Sequence, residues 1–289
     1  MINISRQGMI LIIYTVPNSA YLWIYNCRDM HGIKGISGKV AGFFRLSGEL
    51  SRFAGRYFAE VWKPPFEIRE LLHQCYSVGN RSFPLVGITG FIIGLVLTLQ
   101  TRPTLQEFGA VSWIPSMVGI SIVREIGPVI IALVCAGRVA SGIGAELGSM
   151  RVTEQIDAME VSGTNPFKFL VVTRITATTL MVPVLVIFGD VLALYGSFLI
   201  EHLKGNVSFQ LYFNQVFNSL EFSDLIPDTV KTFFFGLAIG LVGCFKGYYC
   251  AKGTVGVGTA ANTAVVAASM LIFILDFIAV LISDIFYEL

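Results

Sequence analysis

The feature that most constrains this chain is a series of long runs almost free of charge. Arg81 and Arg102 bracket twenty uncharged residues, SFPLVGITGFIIGLVLTLQT. As a helix these would cover about 30 Å, the thickness of a bilayer's hydrocarbon core. A second run, Phe108 to Gly137, is interrupted only by Arg124 and Glu125, and a third, Ile175 to Ile200, only by Asp190. A later run from about Ala260 to Ile282 contains Asp276. Between these last two, Thr232 to Phe245 is short for a span. It reaches bilayer length if Lys246 snorkels and Tyr248 and Tyr249 sit at the interface. The expectation is an all-α, polytopic membrane protein with five transmembrane helices, at about 82–101, 112–138, 174–200, 229–249 and 260–282. Composition agrees. Only 13% of residues are charged, where a soluble domain carries about 25%, and the mean hydropathy is +0.72.

Orientation follows from the placement of lysine and arginine. Sixteen of the twenty lie before the first run, between the second and third, or between the fourth and fifth. The opposite side holds only Arg102, Lys204 and Lys231. That split places the N-terminus in the cytoplasm and the C-terminus outside, which an odd number of spans requires. A net charge of +1 gives no sign of nucleic-acid binding. The five cysteines form no CxxC pair, the three histidines are scattered, and neither points to a metal site.

Ahead of the first span, Phe43, Leu46, Leu50, Phe53, Tyr57 and Val61 recur at helical spacing, and Arg45, Glu49, Arg52 and Arg56 form a polar stripe. Pro64 and Pro65 end the pattern. A basic helix with an aromatic face, over 40–63, reads as lying in the headgroup layer; the alternative is packing against a partner or its own domain. Residues 1–39, with their apolar stretch at 9–25, are assigned no function.

Small residues recur at four-residue spacing in two adjacent rows. Ala136, Ala140, Gly144 and Gly148 form one; Gly137, Ser141, Ala145 and Ser149 form the other. Gly236 and Gly240 continue the device in the fourth span. Such faces permit close helix approach, within the chain or between subunits. The segment 146–161, ELGSMRVTEQIDAMEV, is cytoplasmic by the orientation above. It sets Glu146, Glu154, Asp157 and Glu160 against Arg151 alone, with Val152, Ile156 and Met159 as an apolar stripe. It reads either as a short helix that passes force from a soluble partner or as a solvated connection. Ionisable groups inside spans default to functional roles. Arg124, Glu125 and Asp190 are therefore the lipid-pathway candidates, and a structural ion pair to Asp190 is the alternative for the first two.

The run Arg124 to Arg174, REIGPVIIALVCAGRVASGIGAELGSMRVTEQIDAMEVSGTNPFKFLVVTR, closely resembles the MlaE permease family, the membrane subunits of ABC systems that move phospholipid across the bacterial envelope. The resemblance extends from about residue 40 to 286 and includes FKGYY at Phe245–Tyr249 and NTAVV at Asn262–Val266. It implies a homodimer in the bacterial inner membrane that moves phospholipid between inner and outer membranes. A lipid cavity would lie between the protomers, and an MCE-domain protein would sit on the outer face. A cytoplasmic ABC ATPase would dock on a coupling helix at 146–161, where Glu146, Arg151, Glu154, Gln155, Asp157 and Glu160 are the contact candidates. ATP and Mg would be bound by that partner, leaving this chain without a cofactor, a metal or catalytic residues. The chain has no G-x-x-x-x-G-K-[ST] sequence, in keeping with a separate ATPase. The competing classes are a stand-alone ion-coupled carrier or channel, and a lipid-modifying membrane enzyme. The enzyme class lacks any H-E-x-x-H or G-x-S-x-G sequence to support it.

Overall fold

Hydrocarbon offers no water to a peptide group, so a segment that crosses it must close its hydrogen bonds on itself. The charge-poor runs do this as helices. The computed structural model describes residues 36–64, 66–220 and 222–287, with backbone alone for 36–46, 222–224 and 286–287. The apolar stretch 9–25 and the side chains of Phe43 and Leu46 lie outside the described residues. Residues 52–289 form one unit; residues 1–51 form another, described from Ile36 as the first part of α1 (Ile36–Val61).

Helix α2 (Ile68–Glu107) is the first span. The second, Val111–Val152, is built from α3 (Ile114–Ser121), α4 (Gly127–Cys135) and α5 (Ser141–Val152), joined by π turns at Ile122–Ile126 and Ala136–Ala140. A short α6 (Gln155–Val161) follows. The third span joins a π turn, Phe167–Val172, to α7 (Thr173–Gly205). After α8 (Phe209–Ser219) come α9 (Phe222–Tyr248) and α10 (Thr254–Tyr287), the fourth and fifth spans. Five helices are thus long and apolar enough to cross a membrane, and the described residues contain no strand. Helix α2 lies along α7; α9 packs between α7, α5 and α10.

The helices run beyond the expected span boundaries, and at two of them the reason is the same: a charge that finds a buried partner does not end a helix. Arg102 was expected to mark the end of the first span. It is 7% exposed and donates to Glu201 Oε1 at 2.8 Å and to the Lys204 carbonyl at 2.8 Å, which fastens α2 to α7. The fourth span, expected at about 229–249, runs from Leu225 to Tyr248 and so takes in Asp228 as well as Lys231. Beside the Arg102 pair, Tyr212 of α8 donates to Ser197 Oγ (2.7 Å), which is hydrogen-bonded with Thr98 Oγ1 at 2.7 Å. Burial pushes the Tyr212 phenol up to about 12, and the Glu201 carboxylate acts in the same direction.

On the aromatic face of α1, Phe53 and Tyr57 are buried, Phe53 edge-on to Phe167 and Phe245, and Tyr57 is hydrogen-bonded with Thr176 Oγ1 at 3.2 Å. This part of the stripe packs on the chain's own bundle, the alternative drawn from the sequence, because the aromatic rings of the third and fourth spans offer it a surface. Trp62 and Phe66, just beyond, remain exposed.

Glycine sets the closest approaches. A Cβ at Gly94 would overlap the Ala193 carbonyl, and one at Gly90 the Gly189 carbonyl, so α2 and α7 meet backbone to backbone. Gly236 and Gly240 meet Thr178 and Ile175 of α7 in the same way, while Gly144 and Gly148 face Ala261 and Val257 of α10. Gly137 departs from this pattern: nothing lies within 4 Å of a Cβ built there. The row Ala136, Ala140, Gly144 and Gly148 is buried, whereas Gly137 and Ser149 are exposed and Ser141 and Ala145 half-buried. The partner helices sit on one row only, which spacing alone does not reveal. Gly94→Val should lower stability by about 3 kcal/mol or more, through backbone displacement in a packed interface. Thermal unfolding of the purified protein in detergent checks this.

Candidate functional site

The site begins with a proline. Pro128 has no N–H to offer the Arg124 carbonyl one turn back, and the chain passes this point as the π turn Ile122–Ile126, in which the Gly127 N–H bonds to the Ile122 carbonyl. Interrupted helical ladders of this kind cluster at functional sites. A donor reaches the Arg124 carbonyl from another span: Lys231 Nζ lies 2.6 Å away.

Lys231 is 5% exposed and has further partners. Its Nζ lies 3.2 Å from Asp228 Oδ1, 3.4 Å from Asp276 Oδ1 and 3.5 Å from Glu125 Oε2. One ammonium thus joins the second, fourth and fifth spans. Burying a lone charge in the membrane is costly; surrounding it with three carboxylates and a carbonyl removes that cost while tying three helices together. Sequence reading put Lys231 on the outer side and gave Asp228 no role. The signal for both was Lys231 three residues after Asp228, one helical turn apart, in a segment otherwise apolar enough to span.

Of the lipid-pathway candidates, Arg124 and Glu125 lie in this cluster, and their partner is not Asp190: Glu125 pairs with Lys231. Asp190 is 9% exposed and makes no hydrogen bond or ion pair to any described residue. Its Oδ1 is lodged against Gly127, where a Cβ would overlap it. Asp190 and Asp228 both line a cavity of about 520 Å³ between the second, third and fourth spans and α8, whose other walls are chiefly apolar. That volume lies within the usual range for small-molecule sites. Among the described residues, no group of three His, Cys, Asp or Glu is placed to hold a metal ion.

The segment 146–161 is not one helix. Helix α5 ends at Val152, the chain turns at Glu154 in a left-handed conformation (φ 59°), and α6 starts afresh at Gln155. Arg151 and Asp157 form an ion pair across the turn, and Glu146 accepts from buried Arg174 at 2.7 Å. Ile156 is fully buried; Glu154, Gln155, Asp157 and Glu160 are exposed, and Val161 is 91% exposed. An acidic surface with an apolar tip is thus anchored to the second span through Arg151, and the Glu146–Arg174 pair joins that span to the third. Left-handed Glu154 escaped sequence reading because a non-glycine residue there carries no local signal.

Removing the shared cation should be costly. Lys231→Met should destabilise the protein by about 3–5 kcal/mol, because it leaves buried carboxylates uncompensated. Adding Asp228→Asn and Asp276→Asn to the same chain should recover most of that loss in thermal unfolding.

Comparison with known proteins places this geometry in a family. Residues 71–282 match the family described as Permease MlaE. The chain is 37% identical over 253 residues to a protein of Rickettsia felis named "Probable ABC transporter permease protein", covering 88% of this chain and 96% of that one. A protein of the same description from Synechocystis is 34% identical, over 82% of this chain and 88% of its own length. The "Intermembrane phospholipid transport system permease protein MlaE" of Haemophilus influenzae is 31% identical, over 85% of this chain and 95% of its own length. A multi-pass helical membrane protein with this match over most of its length belongs to the MlaE family of ABC-transporter permeases.

Proposed function

We propose that this chain is the membrane-spanning subunit of an ABC transporter that moves phospholipid between the inner and outer membranes of a bacterium. It works as a homodimer in the inner membrane, with its N-terminus in the cytoplasm and its C-terminus outside. ATP is hydrolysed by a separate cytoplasmic subunit docked on α6, and an MCE-domain protein sits on the outer face. The observation that carries this reading is the exposed acidic α6, tied by the Arg151–Asp157 pair to the second span, which the Glu146–Arg174 pair joins in turn to the third. A push on α6 would enter the second span and pass to the third through that pair, and the second span contains the π turn that holds Arg124 and Glu125. The name of the Haemophilus influenzae relative supports phospholipid as cargo. Transport is then a population shift between two arrangements of the spans, driven by ATP-dependent closure of the partner subunits.

The test is reconstitution in lipid vesicles with and without a cognate ABC ATPase subunit. Lipid movement should require both proteins and ATP. Transport by the chain alone at the same rate would instead identify a stand-alone ion-coupled carrier. Glu154→Lys combined with Glu160→Lys should reduce ATP-driven transport at least about tenfold by reversing charge on the docking surface, with little change in thermal stability because both side chains are exposed. Arg124→Met should impair transport while leaving dimer assembly intact, as read by light scattering beside a flux assay.

A further inference from the structure

Asp190 is a buried carboxyl without a partner on the wall of an apolar cavity. Asp228, on the same wall, uses Oδ1 for Lys231, and its buried Oδ2 has no hydrogen bond. The neighbouring cations do not balance this acidity. The described residues in and beside the cluster bring four carboxyls (Glu125, Asp190, Asp228, Asp276) and two cations (Arg124, Lys231), and Lys231 is already shared among three of the carboxyls. Ionising a buried carboxyl without a counter-charge is costly in such surroundings, so a cation brought into the cavity would supply the partner that an ionised Asp190 lacks.

The chemistry of the walls decides which cation fits. A hard metal ion needs several oxygen ligands, and beyond the two carboxyls the lining side chains supply only the Thr229 and Thr232 hydroxyls, each already hydrogen-bonded to a backbone carbonyl of its own helix. A primary ammonium needs fewer acceptors: it carries three N–H donors, which two carboxyls accommodate, and an attached apolar body would lie on the remaining walls. Phe217 and Val191 are largely exposed, so the cavity opens onto a surface that lipid chains can follow.

We propose that this cavity is a site for the protonated amine of an aminophospholipid headgroup, held between Asp190 and Asp228, and that it makes the permease favour such lipids over anionic ones. The assignment rests on the phospholipid-permease reading above and names the headgroup that reading leaves open. Charge-assisted hydrogen bonds to the ammonium favour one class of lipid; an anionic headgroup brings no donor cation to the two carboxyls and opposes their ionisation, which disfavours the other.

The full-length chain, purified in detergent, is incubated with mixed micelles holding equal amounts of phosphatidylethanolamine and phosphatidylglycerol with identical acyl chains. Retained lipid is quantified by mass spectrometry. The ethanolamine lipid should be enriched roughly tenfold, equivalent to one good charge-assisted contact. Asp190→Asn and Asp228→Asn should each bring the two lipids close to parity. On the unaltered chain, dodecylamine should displace the bound lipid and dodecyl sulfate should not, which keeps the test decisive even if a variant fails to fold. Equal retention of both lipids, or an enrichment that persists in folded variants, overturns the headgroup assignment and leaves the permease reading standing. Retention of neither lipid overturns both.

Discussion

The structure depends on one ammonium group placed where water does not reach. Lys231 lies 5% exposed between the second, fourth and fifth spans, and each of its neighbours exists in its present form because of it. The Arg124 carbonyl, which Pro128 leaves without an N–H one turn on, takes its donor from Lys231. Asp228 and Asp276 sit at depths where carboxylates are rarely found in a lipid-facing helix, and both turn to the same cation. The fourth span can therefore begin at Leu225 and still be a span, although it holds two charges within its first two turns.

Around that cluster the helices are held by devices that suit a low-dielectric solvent. Arg102 and Glu201 fasten α2 to α7 near the α8 end, and glycines let the same two helices touch backbone to backbone further along. No hydrophobic drive brings helices together within lipid, so close packing and a few satisfied polar contacts have to do so. The same rule explains why the aromatic residues Phe53 and Tyr57 pack on the bundle: rings on the third and fourth spans give them a well-shaped surface.

The geometry suits a permease whose energy comes from elsewhere. Helix α6 presents its charges outward and buries only Ile156, so it is held at its ends and free on its face. In the proposed mechanism a displacement there would pass along α5 through the π turn at Ala136–Ala140 to the one at Ile122–Ile126. π turns carry a looser hydrogen-bond ladder than α-helix and are the points at which a long helix changes shape at least cost. In the proposed mechanism, the intramembrane charges lie where such a change is felt.

Much of this was legible in the residues themselves. Five charge-poor runs dictate five helices, because hydrocarbon permits an isolated spanning segment no other backbone arrangement, and the sequence ELGSMRVTEQIDAMEV at 146–161 marked the family. Tertiary structure alone decided which charges face one another. Lys231 read as a loop cation, and Asp190 as a partner for Arg124 or Glu125, because sequence spacing relates residues only within a helix. The pairing of Lys231 with Glu125, 106 positions earlier in the chain, depends on how three spans are placed around each other. The same holds for Gly137: two rows of small residues look alike in sequence, and only the position of α9 and α10 determines which one is buried.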